Sequence, residues 1–323
     1  MNYTLLGTTG IRVSRLCFGT MTFGNEADEA MSAKLFARCR DEGITFFDCA
    51  NIYTNGKAEE ILGRLMKTCR DELVITTKVG FTPGAGLNRA DLSRAALLRE
   101  VDASLKRLQT DRIDVYFCHH FDPATPVDET LCALDALVRT GKIRCAGVSN
   151  WTAWRIARAI GRSELLGLAG ISAIQPMYNL AKRAAEIEIL PLAQAERLGV
   201  ITYSPLGGGL LTGKYTRGHK DAAGRLSTRE TYAKRYAAEQ NYETAERFCA
   251  LAAAKGVHPV TLAVAWVKAH PAVTAPIIGA RSIEQLEPAL AAASYELDSE
   301  QWNEISALTP PVPHATDRDE ERA

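Results

Sequence analysis

Residues 44–63 read ITFFDCANIYTNGKAEEILG. A five-residue run, mostly apolar, ends in an acid, Asp48. Tyr53 lies five residues on, and an Asn-Gly turn then leads into the helical pattern AEEILGRLMK. A strand that discharges a carboxylate and a phenol into the loop before a helix is how the mouth of a parallel α/β barrel is furnished.

Outward from that unit the same alternation repeats. Short apolar runs occur at RLCFGT (15–20), ITFFD (44–48), LVITTK (73–78), IDVYFCH (113–119), IRCAGVSN (143–150), ISAIQ (171–175), VITYS (200–204) and APIIG (275–279). Between them, apolar residues at i, i+3 and i+4, as in LLREVDASLKRL (97–108) and LCALDALVRT (131–140), predict amphipathic helices. Strands too apolar to alternate, each followed by a helix, indicate a parallel sheet covered by helices. Eight such units are the number at which side chains fill a barrel interior, so the expected fold is a (β/α)8 TIM barrel.

Around the barrel, residues 1–14 read as a β-hairpin: TLL and IRV flank a Gly-Thr-Thr-Gly turn and could cap one end. The interval after Ser204 holds a long polar loop, about 216–240, and two helices. SIEQLEPALAAA and SEQWNEISAL predict further helices after the eighth run. A Pro-rich, charged segment, about 310–323, is expected to be a mobile tail. No linker between independent domains is visible, and the 323 residues read as one barrel domain.

Composition narrows the function classes. Hydrophobic residues make up 46% and charged residues 24%, enough to bury a sizeable core. Thirty-eight basic residues balance thirty-eight acidic ones, which removes the electrostatic footprint of a nucleic-acid binder and leaves room only for a local basic pocket. No stretch has the length of a signal peptide's apolar region or of a membrane span, so a cytoplasmic protein is expected. The eight cysteines form no C-x-x-C pair, and Cys17, Cys118 and Cys145 fall in predicted strands. Reduced structural thiols are expected.

Polar residues fall at the carboxyl end of nearly every run: Asp48, Lys78, His119, Ser149, Asn150, Gln175, Tyr203 and Ser204. On a closed barrel those ends share one mouth. Lys78, ending an apolar strand, reads alone as a surface lysine. Beside Asp48 and Tyr53 it reads either as a Schiff-base amine or as a cation that draws the phenol's pKa down from its usual ~10. In the second case Tyr53 donates a proton to a carbonyl oxygen, Lys78 supplies the charge, and Asp48 holds Lys78 protonated and oriented. A neutral His119 could donate to the same oxygen. His120 competes with it, but successive strand residues face opposite ways. A metal at Cys118-His119-His120 lacks other ligands, because the remaining histidines, 219, 258, 270 and 314, fall in loops, helices or the tail. No metal is expected.

No G-x-G-x-x-G follows a strand, so a Rossmann site is not the source of reducing equivalents. The alternative is YSPLGGGLLTGKY (203–215), whose three glycines let backbone amides approach phosphate, with Lys214 nearby. IIGARSIEQL then adds a strand, a turn with Arg281 and a helix start, a common phosphate site on this barrel. Together they suit a dinucleotide.

These motifs resemble the aldo-keto reductase family. The resemblance rests on GTMTFG (19–24), DxAxxY (48–53) with GKAEEILG, ITTK, IDVYFCH, GKIRCAGVSN, QPMYN (175–179), YSPLGGGLLTGKY and PIIGARSIEQL. It implies an NADP(H)-dependent carbonyl reductase with the tetrad Asp48, Tyr53, Lys78 and His119, the histidine falling five residues after Asp114. It implies further that Ser149, Asn150 and Gln175 bind the nicotinamide amide and that Tyr203 stacks on its ring. Ser204, Leu206, Gly208 and Lys214 would follow the pyrophosphate, and Gly279, Arg281 and Gln285 the adenosine phosphate. Gly19, Thr20 and Met21 would border the cofactor with Asp48. Phe23, Phe81, His120, Trp151 and the 216–240 loop would wall the pocket for a small carbonyl substrate. Arg217, Arg225 and Arg281 are the expected partners of a 2′-phosphate.

Two positions depart from the family pattern: Asn51, where an acid is usual, and Pro288-Ala289, where relatives often carry Glu-Asn. Two other classes stay open. One is a lyase using Lys78 as a Schiff-base nucleophile; the other is an NADP(H)-sensing regulatory protein, as the resemblance to potassium-channel β subunits allows.

Overall fold

The structure, a computed structural model, describes residues 1–81, 91–219 and 221–313. Most of the expected tail therefore lies outside the described residues. Two short strands, β1 (Tyr3–Leu5) and β2 (Arg12–Ser14), pair antiparallel as the predicted hairpin. Eight strands follow: β3 (Cys17–Gly19), β4 (Phe46–Asp48), β5 (Val74–Val79), β6 (Ile113–Cys118), β7 (Ile143–Ser149), β8 (Ile171–Gln175), β9 (Gly199–Thr202) and β10 (Ala275–Ile278). They pair parallel in chain order, and β10 closes on β3 to complete the barrel. Helices separate the strands, as a (β/α)8 barrel requires.

Strand periodicity sorts the core into two parts. Phe46, Val74, Val115, Phe117, Cys145, Ala173, Ile201 and Ala275 form a cluster inside the barrel, joined by Leu6 and Val13 of the hairpin region. Their neighbours in sequence, such as Phe47, Ile75, Tyr116 and Ile174, belong to the larger cluster between sheet and helices. The hairpin thus plugs the amino-terminal end, with Leu6 packed against the backbone of Gly199, where a Cβ would lie 2.4 Å from Leu6 Cδ1. Gly147 serves the same purpose inside, because a Cβ there would stand 2.4 Å from the Phe117 ring.

The interval 216–240 is not one loop. It folds into two short helices, Arg225–Thr228 and Glu230–Arg235, before the long helix Glu239–Ala254 begins. Polarity read as a loop because helices this short bury almost no continuous apolar face. All eight cysteines are free thiols, and only Cys132 is exposed. Among the described residues no single helix is long and apolar enough to cross a membrane.

Candidate active site

The inward columns of β4 to β8 end in polar residues. Phe46 is followed two residues later by Asp48, Val74 by Thr76 and Lys78, Phe117 by His119, Cys145 and Gly147 by Ser149, and Ala173 by Gln175. Period-two geometry therefore delivers these side chains to the carboxyl-terminal mouth and explains why His119, rather than His120, continues the inward column of β6.

Asp48, Lys78 and Tyr53 come together as expected. Lys78 is fully buried, and its Nζ donates to Asp48 Oδ1 and Oδ2 at 2.8 and 2.7 Å, to the Cys49 carbonyl at 2.6 Å and to Tyr53 Oη at 3.3 Å. Asp48 Oδ1 also accepts from Thr76 Oγ1 at 2.7 Å and from Gln175 Nε2 at 2.8 Å. Thr76 lies opposite Asp48 in the β4–β5 register, so its place in the network was available from strand pairing. A carboxylate with this many donors has no freedom to rotate, and it fixes Lys78 in turn.

The electrostatics correct one expectation. Burial works against the Lys78 ammonium, but Asp48 and its neighbours outweigh it and hold the amine above the usual lysine range. The Tyr53 phenol is not drawn down. Burial pushes it up to about 12, and the nearby Lys78 cation only moderates that rise. A phenolate would have to be desolvated among Asp48 and Cys49, and that cost exceeds the attraction of a cation already shared with Asp48. Tyr53 therefore carries its proton at neutral pH. Burial first, then Lys78 and His120, push His119 down to about 3, so its imidazole is neutral. Its Nδ1 is buried and unpartnered, while the residue lines the cleft.

A second chain of bonds frames the mouth. Ser149 Oγ donates to the Gln175 carbonyl at 2.8 Å, Asn150 Nδ2 to the His119 carbonyl at 2.9 Å, and Tyr203 Oη to Asn150 Oδ1 at 2.7 Å. Asn150 and Ser204 hold positive φ, at 60° and 59°, just past their strands. Such angles are strained for side-chain-bearing residues and cluster at functional sites.

From this floor a cleft of about 770 Å³ runs to a cationic far end. Gly19, Met21, Phe81, His120, Ser149, Asn150, Gln175, Tyr203, Ser204, Leu206, Gly208, Lys214, Gly279, Arg281 and Gln285 all line it, with Asp48, Tyr53 and His119. Gly208 has φ 69°, and a Cβ there would meet the Tyr232 ring at 2.6 Å, so a glycine is needed where the helical segment covers the loop. Lys214 lies 3.3 Å from Asp221, and Arg281 donates to the Ala223 carbonyl. Arg229 pairs with Glu26 at 2.9 Å, tying the short helices to the loop after β3 on the opposite bank.

Four expected residues fall elsewhere. Phe23 is completely buried against Phe18 and does not line the cleft; its carbonyl accepts from Thr54 Oγ1. Trp151 is buried edge-on against Phe121 at 5.0 Å. Thr20 is buried with its hydroxyl on the Asp48 carbonyl, whereas Thr22 next to Met21 lines the cleft. Arg217 points away and pairs with Glu246 at 2.9 Å. The aromatic pair read as a wall because sequence gives no depth for a bulky residue beside a strand end. Arg225, Tyr232 and Arg235 line the cleft from the 216–240 interval expected to wall it, and Pro205 from the glycine-loop motif, whereas His258 had no signal in the sequence. Within that interval nothing singled out Tyr232 or Arg235.

Asn51 has a structural role. It is buried, and its Nδ2 donates to the Phe81 carbonyl at 2.8 Å and to Glu100 Oε2 at 3.2 Å, tying the Tyr53 loop to the cleft wall. Pro288 lines the cleft within the helix Ile283–Leu290, and its carbonyl accepts from Thr261 at 2.6 Å.

Residues 15–310 match the sequence model of the Aldo/keto reductase family. The chain is 39% identical over 321 residues to the uncharacterized oxidoreductase YrpG of Bacillus subtilis (strain 168), covering 96% of both chains. It is 39% identical over 293 residues to a probable voltage-gated potassium channel subunit beta of Oryza sativa subsp. japonica, covering 88% of this chain and 89% of that one. It is 32% identical over 315 residues to the aldo-keto reductase YhdN of Bacillus subtilis (strain 168), covering 95% and 93%. The protein belongs to the aldo/keto reductase family. That membership is consistent with oxidoreduction of carbonyl compounds.

Proposed function

We propose that the protein reversibly reduces an aldehyde or ketone to an alcohol with NADPH, and that Tyr53 delivers the proton. The observation that carries this is the buried Lys78 Nζ, 3.3 Å from Tyr53 Oη and pinned by both oxygens of Asp48, behind the phenol that lines a cleft of about 770 Å³. The donor set fits such a cofactor. Gly208 and Gly209, both with positive φ, present backbone to the cleft, while Lys214, Arg225 and Arg281 supply positive charge along it. At the other end Gln175 spends its Nε2 on Asp48 and keeps its Oε1 for an amide N–H.

When bound, the reduced dinucleotide supplies a hydride to the carbonyl carbon and is itself oxidised. The protein supplies the proton that completes the alcohol. Tyr53, protonated at neutral pH, gives its proton to the oxygen as negative charge builds there, and the phenolate left behind lies beside the Lys78 ammonium. Asp48 keeps that ammonium charged and in place. Neutral His119 donates to the same oxygen and orients the carbonyl. Tyr203 would offer a flat face to the nicotinamide, and Ser149, Asn150 and Gln175 would hold its amide. Ser204, Leu206, Gly208 and Lys214 would hold the pyrophosphate, and Arg281, Arg225, Gly279 and Gln285 a 2′-phosphate.

Mixing the protein with NADPH and a panel of small carbonyl compounds should consume the absorbance of the reduced nicotinamide. The result against the proposal is no consumption with any member of the panel. A regulatory protein that senses NADP(H) is the second reading, favoured by the identity with the rice protein named as a potassium channel subunit. Tight dinucleotide retention with negligible turnover would support it. A Schiff-base role for Lys78 loses its chemistry, because an ammonium held by four oxygens has no free lone pair.

A further inference from the structure

We infer that the carbonyl substrates taken by this site carry an anionic group, a carboxylate for example, and that His120 and Arg235 supply the charge that selects them. The inference rests on the proposed carbonyl reduction and concerns the class of compound reduced.

His120 lines the cleft with its ring 4.4 Å from that of Phe81. Both of its ring nitrogens face backbone carbonyl oxygens, Nδ1 toward Phe121 at 2.9 Å and Nε2 toward Gly80 at 2.8 Å. A carbonyl oxygen can only accept. A neutral imidazole has one N–H and would set a lone pair against the second oxygen, so the two acceptors together are served only by a ring with two N–H groups. The nearest acid, Asp122, is spent on its own loop, its oxygens taken up by the Leu92 and Ala124 amides and the Thr125 hydroxyl. His119, the other titratable group that feels this ring, is neutral.

Arg235 provides the second charge. It lines the cleft, half-buried, with its guanidinium 5.1 Å from the centre of the Tyr232 ring, and it makes no ion pair or hydrogen bond with an acid among the described residues. Its field reaches the phenol of Tyr203, which is bonded through Asn150 to the backbone of His119. That chain places the arginine's influence toward the reacting end of the cleft. The acids lining the cleft are Asp48, already matched by Lys78, and Glu284 on the helix that follows β10. A half-buried guanidinium without a counter-ion is a ready partner for a carboxylate.

The test compares 4-carboxybenzaldehyde with 4-methylbenzaldehyde, similar in shape and different in charge, using the full-length protein and NADPH. The expected ratio of their kcat/KM values is about tenfold or more in favour of the carboxylate, the factor that about 1.4 kcal/mol provides. Arg235→Gln and His120→Gln should each lower the ratio several-fold, and His120→Arg, which keeps a cation, should retain it. A wild-type ratio near one, or a ratio that survives both glutamine substitutions, overturns the inference. Thermal shifts with the same two aldehydes in the presence of NADP⁺ read the preference without turnover. Failure of both aldehydes to react would then count against the reductase, and equal shifts against the charge preference.

Discussion

Two buried carboxylates stand near opposite ends of the barrel strands and are used differently. Asp114, at the start of β6, is fully buried, with Oδ2 accepting from Arg70 Nη2 and from the Ile75 amide, both at 2.8 Å. Arg144 approaches its other oxygen to 3.0 Å without hydrogen-bond alignment. These contacts tie the beginnings of β5, β6 and β7 to one another. Asp48, at the end of β4, holds a lysine instead, and beyond that lysine stands a phenol lining a cleft. A buried ion pair therefore does not by itself mark a reactive centre. What distinguishes the second is a partner amine short enough to be shared with a third group that a ligand can touch. Guanidinium forks at Asp114 fasten strands, while the compact ammonium at Asp48 can face both a carboxylate and a hydroxyl.

Substitutions can break this contrast. Lys78→Met should do most harm, leaving Asp48 buried without its counter-ion: about 3–5 kcal/mol of stability lost by denaturant titration, and turnover abolished in whatever folds. Tyr53→Phe keeps the ring and should lower kcat by about 10²–10⁴-fold with little change in the melting curve. A variant with full turnover would remove Tyr53 as proton donor. Asp114→Ala should show the reverse, losing several kcal/mol, about 3–5, while turnover per folded molecule persists.

Acid titration sharpens the comparison from the His119 side. The folded protein holds this imidazole neutral down to about 3, while the unfolded chain takes up its proton near ~6.5. Between those values the unfolded state binds more protons, so this contribution to stability is present above ~6.5 and is lost as the pH falls toward 3. His119→Gln should flatten that decline in melting temperature; an unchanged slope would show that other groups govern it. Arg217→Ala marks the lower end of the scale, removing an exposed pair with Glu246 worth about 0–1 kcal/mol.

The barrel was legible because eight apolar runs of strand length alternate with helical patterns, and the meeting of Asp48, Lys78 and His119 was legible because strand ends converge. Period two did not separate His119 from His120 at the mouth, because both line the cleft just past the end of β6. What escaped was depth and net balance. Phe23 and Trp151 follow strand ends just as Phe81 does, but packing against Phe18 and Phe121 turns them inward, and those partners are fixed only by tertiary structure. The direction of the Tyr53 shift escaped for a related reason. A neighbouring cation can be inferred from sequence, whereas the extent of burial opposing it cannot. Arg235 lies in the interval expected to wall the pocket, but on a helix too short to announce itself, so no pattern singled it out.

The bridge between Arg229 and Glu26 joins residues 203 positions apart and fastens the short helices to the segment after β3. Both segments supply cleft-lining residues, Met21 and Thr22 on one and Arg225 and Tyr232 on the other, so parting the clasp frees the two to move apart. Both partners retain access to solvent, so the clasp is weak and dissolved salt competes with it. Residence time in the groove should consequently shorten as ionic strength rises.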